Sequence, residues 1–152
     1  MCLLGCIKSD APSAKGRGRA SSRFVNGCQD SLEGRKLELE SLELAKMILS
    51  EIEDKKGSDI VVMDIRSISL LADYFVICTV ETQRQAEALA DAVIPKMKEH
   101  GRFARAVEGD ATSGWVLIDY GDVVVHLFSP QQRTYYGLDK LWKEAKVVVR
   151  IQ

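Results

Sequence analysis

Apolar and polar residues alternate with period two on either side of the pair Gly121-Asp122, through Trp115-Val-Leu-Ile-Asp-Tyr120 and Val123-Val-Val-His-Leu-Phe128. This predicts a β-hairpin, with glycine at the first central position of a type II′ turn. In that register Tyr120 opposes Val123, Ile118 opposes Val125 and Val116 opposes Leu127, so one face is apolar and belongs in a core. The other face sets Trp115 against Phe128, Leu117 against His126 and Asp119 against Val124, a mixture that is costly to bury completely.

Upstream the period changes to that of a helix. From Ser41, Leu44, Ala45, Ile48, Leu49 and Ile52 form a stripe, with Glu43, Lys46, Ser50, Glu53 and Asp54 opposite. Lys55-Lys56-Gly57 closes this helix, with basic residues in its last turn and the glycine suited to its cap. Residues 60–65 and 74–79 read as strands. Thr82 and Gln85 have capping-box spacing, and Ala86, Leu89, Ala90, Val93, Ile94 and Met97 carry a second helix to Gly101. Within it, Pro95 predicts a kink or a short final segment. Residues 103–108 are a third strand and 109–114 a loop into the hairpin. Ser129-Pro130-Gln131-Gln132 opens another helix, which Gly137 breaks before residues 138–142. Residues 147–151 look strand-like, but no turn signal names their partner. The predicted class is α/β (α+β), a mixed β-sheet with helices packed on it.

Residues 1–36 lack apolar periodicity and are rich in Gly, Ser and Arg, which predicts a disordered N-terminal extension before a domain at 37–152. Three readings of this extension stay open. Leu3-Leu-Gly-Cys6 resembles a lipoprotein cleavage box but has no basic and apolar regions before it, the Arg/Ser-rich, acid-poor composition is that of an organelle transit peptide, and the segment also suits a plain extension or a misplaced start. The 152 residues suffice for one sizeable core rather than two.

Charge and cysteine usage narrow the classes. Lys and Arg number 21 against 22 Asp and Glu, a net charge of −1, so no global field grips nucleic acid and little direct contact with it is expected. Cys2, Cys6, Cys28 and Cys78 lack CxxC spacing, which argues against structural zinc; Cys78, in an apolar run, reads as a small buried hydrophobe of a reducing, cytoplasmic compartment. No apolar run approaches the ~20 residues that span a bilayer, so a soluble protein is expected.

Asp119 and Asp122 invite a magnesium site, but three-residue spacing across a turn sends them to different faces, and Gly-Asp is ordinary turn chemistry. His126 lies diagonal to Asp119, as an acid/base group or as a hydrogen-bonded sheet histidine, and no nucleophile sits beside it in sequence. Walker and GxGxxG motifs are absent. Trp115, Tyr135, Tyr136 and Trp142 beside Arg133 make the residue mix of a protein-binding hot spot. Trp142, with Leu138 and Leu141, is expected in the core; for Trp115 interface and core both stay open.

Leu71-Ala-Asp-Tyr-Phe-Val-Ile-Cys-Thr79, Glu108-Gly109, Trp115 to His126, Arg133, Tyr136 and Leu141-Trp142, in this order, resemble the ribosomal silencing factor family, RsfS or Iojap. The likeness runs from about Leu42 to Trp142, departing at Val80-Glu81-Thr82, where the family has a Gly/Ser-rich turn, and at Gly137 in the last helix. It implies a nucleotidyltransferase-like fold without catalysis, cofactor or metal. It also implies binding to ribosomal protein uL14 on the large ribosomal subunit, which sterically blocks subunit joining and represses translation under nutrient limitation. On that reading the mixed hairpin face docks, with Trp115 as a desolvated anchor. Asp119 and Asp122 would supply negative charge, and Tyr120, His126, Arg133 and Tyr136 would lie at or near the contact. A homodimer off the ribosome is left open. The alternative, a nucleotidyltransferase-like enzyme, is disfavoured by the Asp-x-x-Asp spacing and the missing phosphate loop.

Overall fold

The computed structural model describes the backbone from residue 30 to 152 and side chains from residue 40. Its elements are α1 (Asp30–Asp54), β1 (Ser58–Asp64), β2 (Tyr74–Thr79), α2 (Gln83–Glu99), β3 (Ala106–Asp110), β4 (Trp115–Asp119), β5 (Val123–Phe128), α3 (Pro130–Tyr136), α4 (Leu138–Leu141) and β6 (Lys146–Ile151). Helix α1 therefore begins well before Ser41 and takes in the last residues of the expected extension; positions 1–29, with Cys2, Cys6 and Cys28, lie outside the described residues.

The six strands form one mixed sheet in the order β3-β4-β5-β2-β1-β6. Only β2 and β5 run parallel. The hairpin register is the one the alternation predicts, from Trp115 opposite Phe128 to Asp119 opposite Val124. Tyr120 N donates to the Val123 carbonyl at 2.9 Å, and Gly121 takes a φ of +90°, the conformation a type II′ turn demands of its first central residue.

Period-two alternation sorts the strands into two cores. On one face Ile60, Val62, Tyr74, Val76, Cys78, Val116, Ile118, Val123, Val125 and Leu127 pack under the stripes of α1 and α2. Every residue of the predicted α1 stripe is buried and its polar counterparts are exposed. A second, smaller cluster lies across the sheet, which the expectation of one core did not include: Val61, Met63, Ile65, Ala72, Phe75, Ile77, Phe128 and Ala145, with Leu138 and Trp142 packed against it. Buried from both sides, β2 reads in sequence as a continuous apolar run rather than an alternating one.

Local chemistry sets the ends of the elements, and in several places not as predicted. The left-handed residue after α1 is Lys56, with a φ of 58°, not Gly57. Glycine is needed at 57 for space, since a Cβ there would lie 2.5 Å from Ile52 Cγ2 and 2.6 Å from Cys78 Sγ. Thr82 caps α2 through the Gln85 amide at 3.2 Å, but the Gln85 side chain accepts from Glu81 N, one residue before the cap, and donates to the Lys56 carbonyl. Helix α2 continues unbroken through Pro95, and it was the third strand that moved: β3 starts at Ala106, leaving Phe103 exposed. Ser129 caps α3, and Gly137, with a φ of 55°, ends it and opens α4. The undecided segment 147–151 lies in β6, which pairs antiparallel with β1 at the edge opposite β3.

Candidate functional site

The mixed face of the hairpin is half covered. Cross-strand pairing places Trp115 beside Phe128 and Leu117 beside His126, and α3 brings Tyr136 over the tryptophan. The rings form one cluster, with Trp115 stacked on Phe128 at a centroid distance of 5.2 Å and on His126 at 6.1 Å, and Tyr136 tilted against it at 4.7 Å. Phe128 and His126 are buried beneath; Trp115 and Leu117 are half-buried, and Tyr136 is 45% exposed. Contacts on several sides fix the indole in one orientation, so an apolar group reaches the surface with little rotamer freedom left to lose on binding.

His126 holds that orientation from below. The Trp115 indole N–H donates to His126 Nδ1 at 3.4 Å, which leaves the imidazole proton on Nε2. Nε2 is enclosed without a hydrogen-bond partner, and the imidazole and Phe75 rings meet edge to face with their centroids 5.1 Å apart. Burial pushes the His126 pKa down to about 4, so the ring is neutral at physiological pH. It is poorly placed as an acid/base group, having neither solvent nor a carboxylate at its free nitrogen.

The acidic residues divide by role. Asp119 Oδ1 accepts from the Gly121 amide at 2.6 Å and so shapes the turn. The Asp122 carboxylate pairs with Arg102 at 2.8 Å, while its carbonyl accepts from Asp73 N and Tyr74 N. No three His, Cys, Asp or Glu side chains converge as a metal site among the described residues.

Of the residues singled out from sequence, the structure brings Trp115, His126 and Tyr136 together, with Asp119 farther along β4 on the same face. Two expectations need correction. Tyr120 sits on the opposite face, 5% exposed in the main core, because the alternation that exposes Asp119 turns the next residue inward; burial raises its phenol pKa to about 12. Arg133 is not a surface contact but a clamp, 9% exposed. It donates to Thr79 Oγ1 at 2.8 Å, to the Asp59 carbonyl and, bidentately, to Asp139 at 3.1 and 3.2 Å, tying α3 and α4 to β1 and β2. Trp142, expected in the core, packs edge-on against Phe75 at 5.5 Å but stays half-buried at the rim of the second cluster, and Leu141 is exposed. Sequence reasoning used Glu108-Gly109 only as a mark of the resemblance and gave Glu108 no place in the site; it lines a cleft with Gly109, Trp115 and Leu117. The signal was a glutamate directly before a glycine in a short edge strand.

A family model described as "Ribosomal silencing factor during starvation" matches residues 38–152, a span holding all six strands. The chain is 40% identical over 106 residues to the ribosomal silencing factor RsfS of Halalkalibacterium halodurans, covering 70% of this chain and 91% of that protein. It is 34% identical over 109 residues to the chloroplastic protein Iojap of Zea mays, covering 70% of this chain and 46% of that protein. A crystal structure of a Chromobacterium violaceum protein superposes with a TM-score of 0.65 at 36% identity, covering 71% of this chain and 92% of that one. With its mixed sheet and its ordered motifs inside the matched span, the chain belongs to the ribosomal silencing factor (RsfS) family.

Proposed function

We propose that this protein silences translation by binding ribosomal protein uL14 on the large ribosomal subunit and keeping the small subunit from joining when nutrients are scarce. The observation that carries the reading is the prearranged Trp115 indole, stacked on Phe128 and flanked by the tilted ring of Tyr136 at a half-open sheet face. A large aromatic held in one orientation beside exposed apolar and acidic neighbours is the composition of an interface centre rather than of a reaction site. On this reading the protein acts by occupancy, without a chemical step or cofactor, and its site of action is the cytoplasm. No helix among the described residues is long and apolar enough to cross a membrane.

The test is co-sedimentation of the purified protein with large subunits, followed by a subunit-joining assay in which light scattering reports formation of the complete ribosome. The expected outcome is stoichiometric pelleting with large subunits and a dose-dependent loss of joining, both needing more than tenfold more protein when Trp115 is replaced by alanine. Joining that proceeds at full extent on saturated large subunits would overturn the proposed mechanism.

A further inference from the structure

Beside Trp115 the edge of the sheet opens into a cleft of about 160 Å³ lined by Glu108, Gly109, Trp115 and Leu117. Glu108 and Leu117 are direct cross-strand partners, so carboxylate and leucine share the face on which Trp115 stands two residues along β4. Gly109 contributes backbone alone to the cleft wall. Its φ is +76°, and a Cβ there would overlap the Trp115 carbonyl oxygen, so a side chain is excluded twice over.

The walls have a definite chemical preference. The Glu108 carboxylate is exposed and makes no hydrogen bond or ion pair among the described residues, although ion pairs form elsewhere on the surface. Asp110, opposite Trp115, is held below the usual carboxylate range by the Thr112 hydroxyl and the Ser113 amide, so the neighbourhood is anionic. The basic groups of this edge lie at its far end, beyond Ala106: Arg102 pairs with Asp122, and the Arg105 guanidinium lies over Gly121. An anion, including a nucleic-acid phosphate, would be repelled here. A wholly apolar group would desolvate Glu108 with nothing in return. A cation on an alkyl stem satisfies all the walls at once, its methylenes on Leu117, its charge over the indole face and its head against Glu108.

We propose that this cleft receives one lysine or arginine side chain from the protein partner. The inference rests on the docking reading above and adds the chemistry of one contact to it, with Glu108 as the residue that selects a basic group.

The experiment compares the full chain with its Glu108→Gln and Glu108→Lys variants. Binding is measured to purified large subunits and to isolated uL14 at two salt concentrations, and a thermal melt checks the fold of each variant. Loss of the carboxylate should weaken binding to both targets roughly fivefold and flatten the salt dependence. Reversal of charge should weaken it more than tenfold. Unchanged binding by both folded variants, while the unsubstituted chain binds, would overturn the inference and leave the docking reading intact. Tighter binding by Glu108→Lys would also overturn it, since the cleft would then face phosphate. If the unsubstituted chain binds neither target, the docking reading falls and the cleft is judged alone, by the Trp115 indole resonance against N-acetyl-lysine methylamide and its norleucine counterpart. A shift with lysine only supports the cleft's preference; equal shifts, or none, overturn it.

Discussion

The two faces of the sheet are made from the same strands and do opposite things. Under α1 and α2 the residues are almost all aliphatic and closed off from water, with Ile48, Leu89, Ile118 and Val125 fully buried. Across the sheet the covering is short. Helices α3 and α4 have 7 and 4 residues, and beyond Phe128 their shelter is down to Tyr136, leaving Trp115, Leu117 and Asp119 half-buried at the boundary with solvent. The first face supplies stability through area removed from water. The second gives up part of that area and keeps aromatic rings in fixed positions, which suits recognition. Alternation along a strand lets both be encoded in one stretch of chain, since each substitution on one face leaves the other untouched.

The comparison predicts separable failures. Ile48→Ala, in the closed face, should cost about 2–5 kcal/mol in urea unfolding, with ribosome binding by the folded fraction unchanged. A binding defect exceeding the unfolded fraction would blur the distinction. The next largest effect is one of pH on the half-open face. His126 has a folded pKa of about 4, below its unfolded value of 6.5, so between these values the unfolded chain binds the extra proton. Stability from this group is complete above pH 6.5 and falls as the pH drops towards 4, by on the order of 3 kcal/mol. Denaturation between pH 7 and 4 should show that slope, and His126→Phe should remove it; an unchanged slope would place the proton elsewhere.

Trp115→Ala should weaken subunit binding more than tenfold, about 2 kcal/mol, while far-ultraviolet circular dichroism shows the fold intact. If the domain unfolds instead, the two faces are one cooperative core and the division drawn here fails. Smallest of all, Asp122→Asn breaks a partly exposed pair with Arg102 and should change stability by less than ~1 kcal/mol, as checked by the melting temperature.

The hairpin was legible in the sequence because period-two alternation and a Gly-Asp turn are local signals that tertiary contacts had no reason to override. The same holds for the stripes of α1 and α2 and for the Thr82 and Ser129 caps. What the sequence hid depends on residues distant along the chain. Arg133 looked like a surface contact because its partners, Thr79, Asp59 and Asp139, come from β2, the start of β1 and the far side of Gly137. Gly57 resembled a cap, yet its reason is the Cys78 sulfur on a neighbouring strand. The partner of β6 was unreadable because a strand that follows a helix has no hairpin turn to fix its pairing. Tyr120 is a different kind of miss: its own alternation put it in the core, and its neighbours' chemistry drew it to the interface.

The parallel pair at the centre of the sheet bears on the order in which the chain assembles. Tyr74 meets Val123 only after α2, β3 and β4 have been traversed, whereas β3, β4 and β5 join through short turns. Closing the long excursion costs more chain entropy than closing either turn. The meander is therefore expected to form early in the folding transition state, giving Ile118→Val a high φ-value and Val76→Ala a low one. A kinetic barrier would then separate the strands that carry Trp115 from the strand that locks them into the finished sheet.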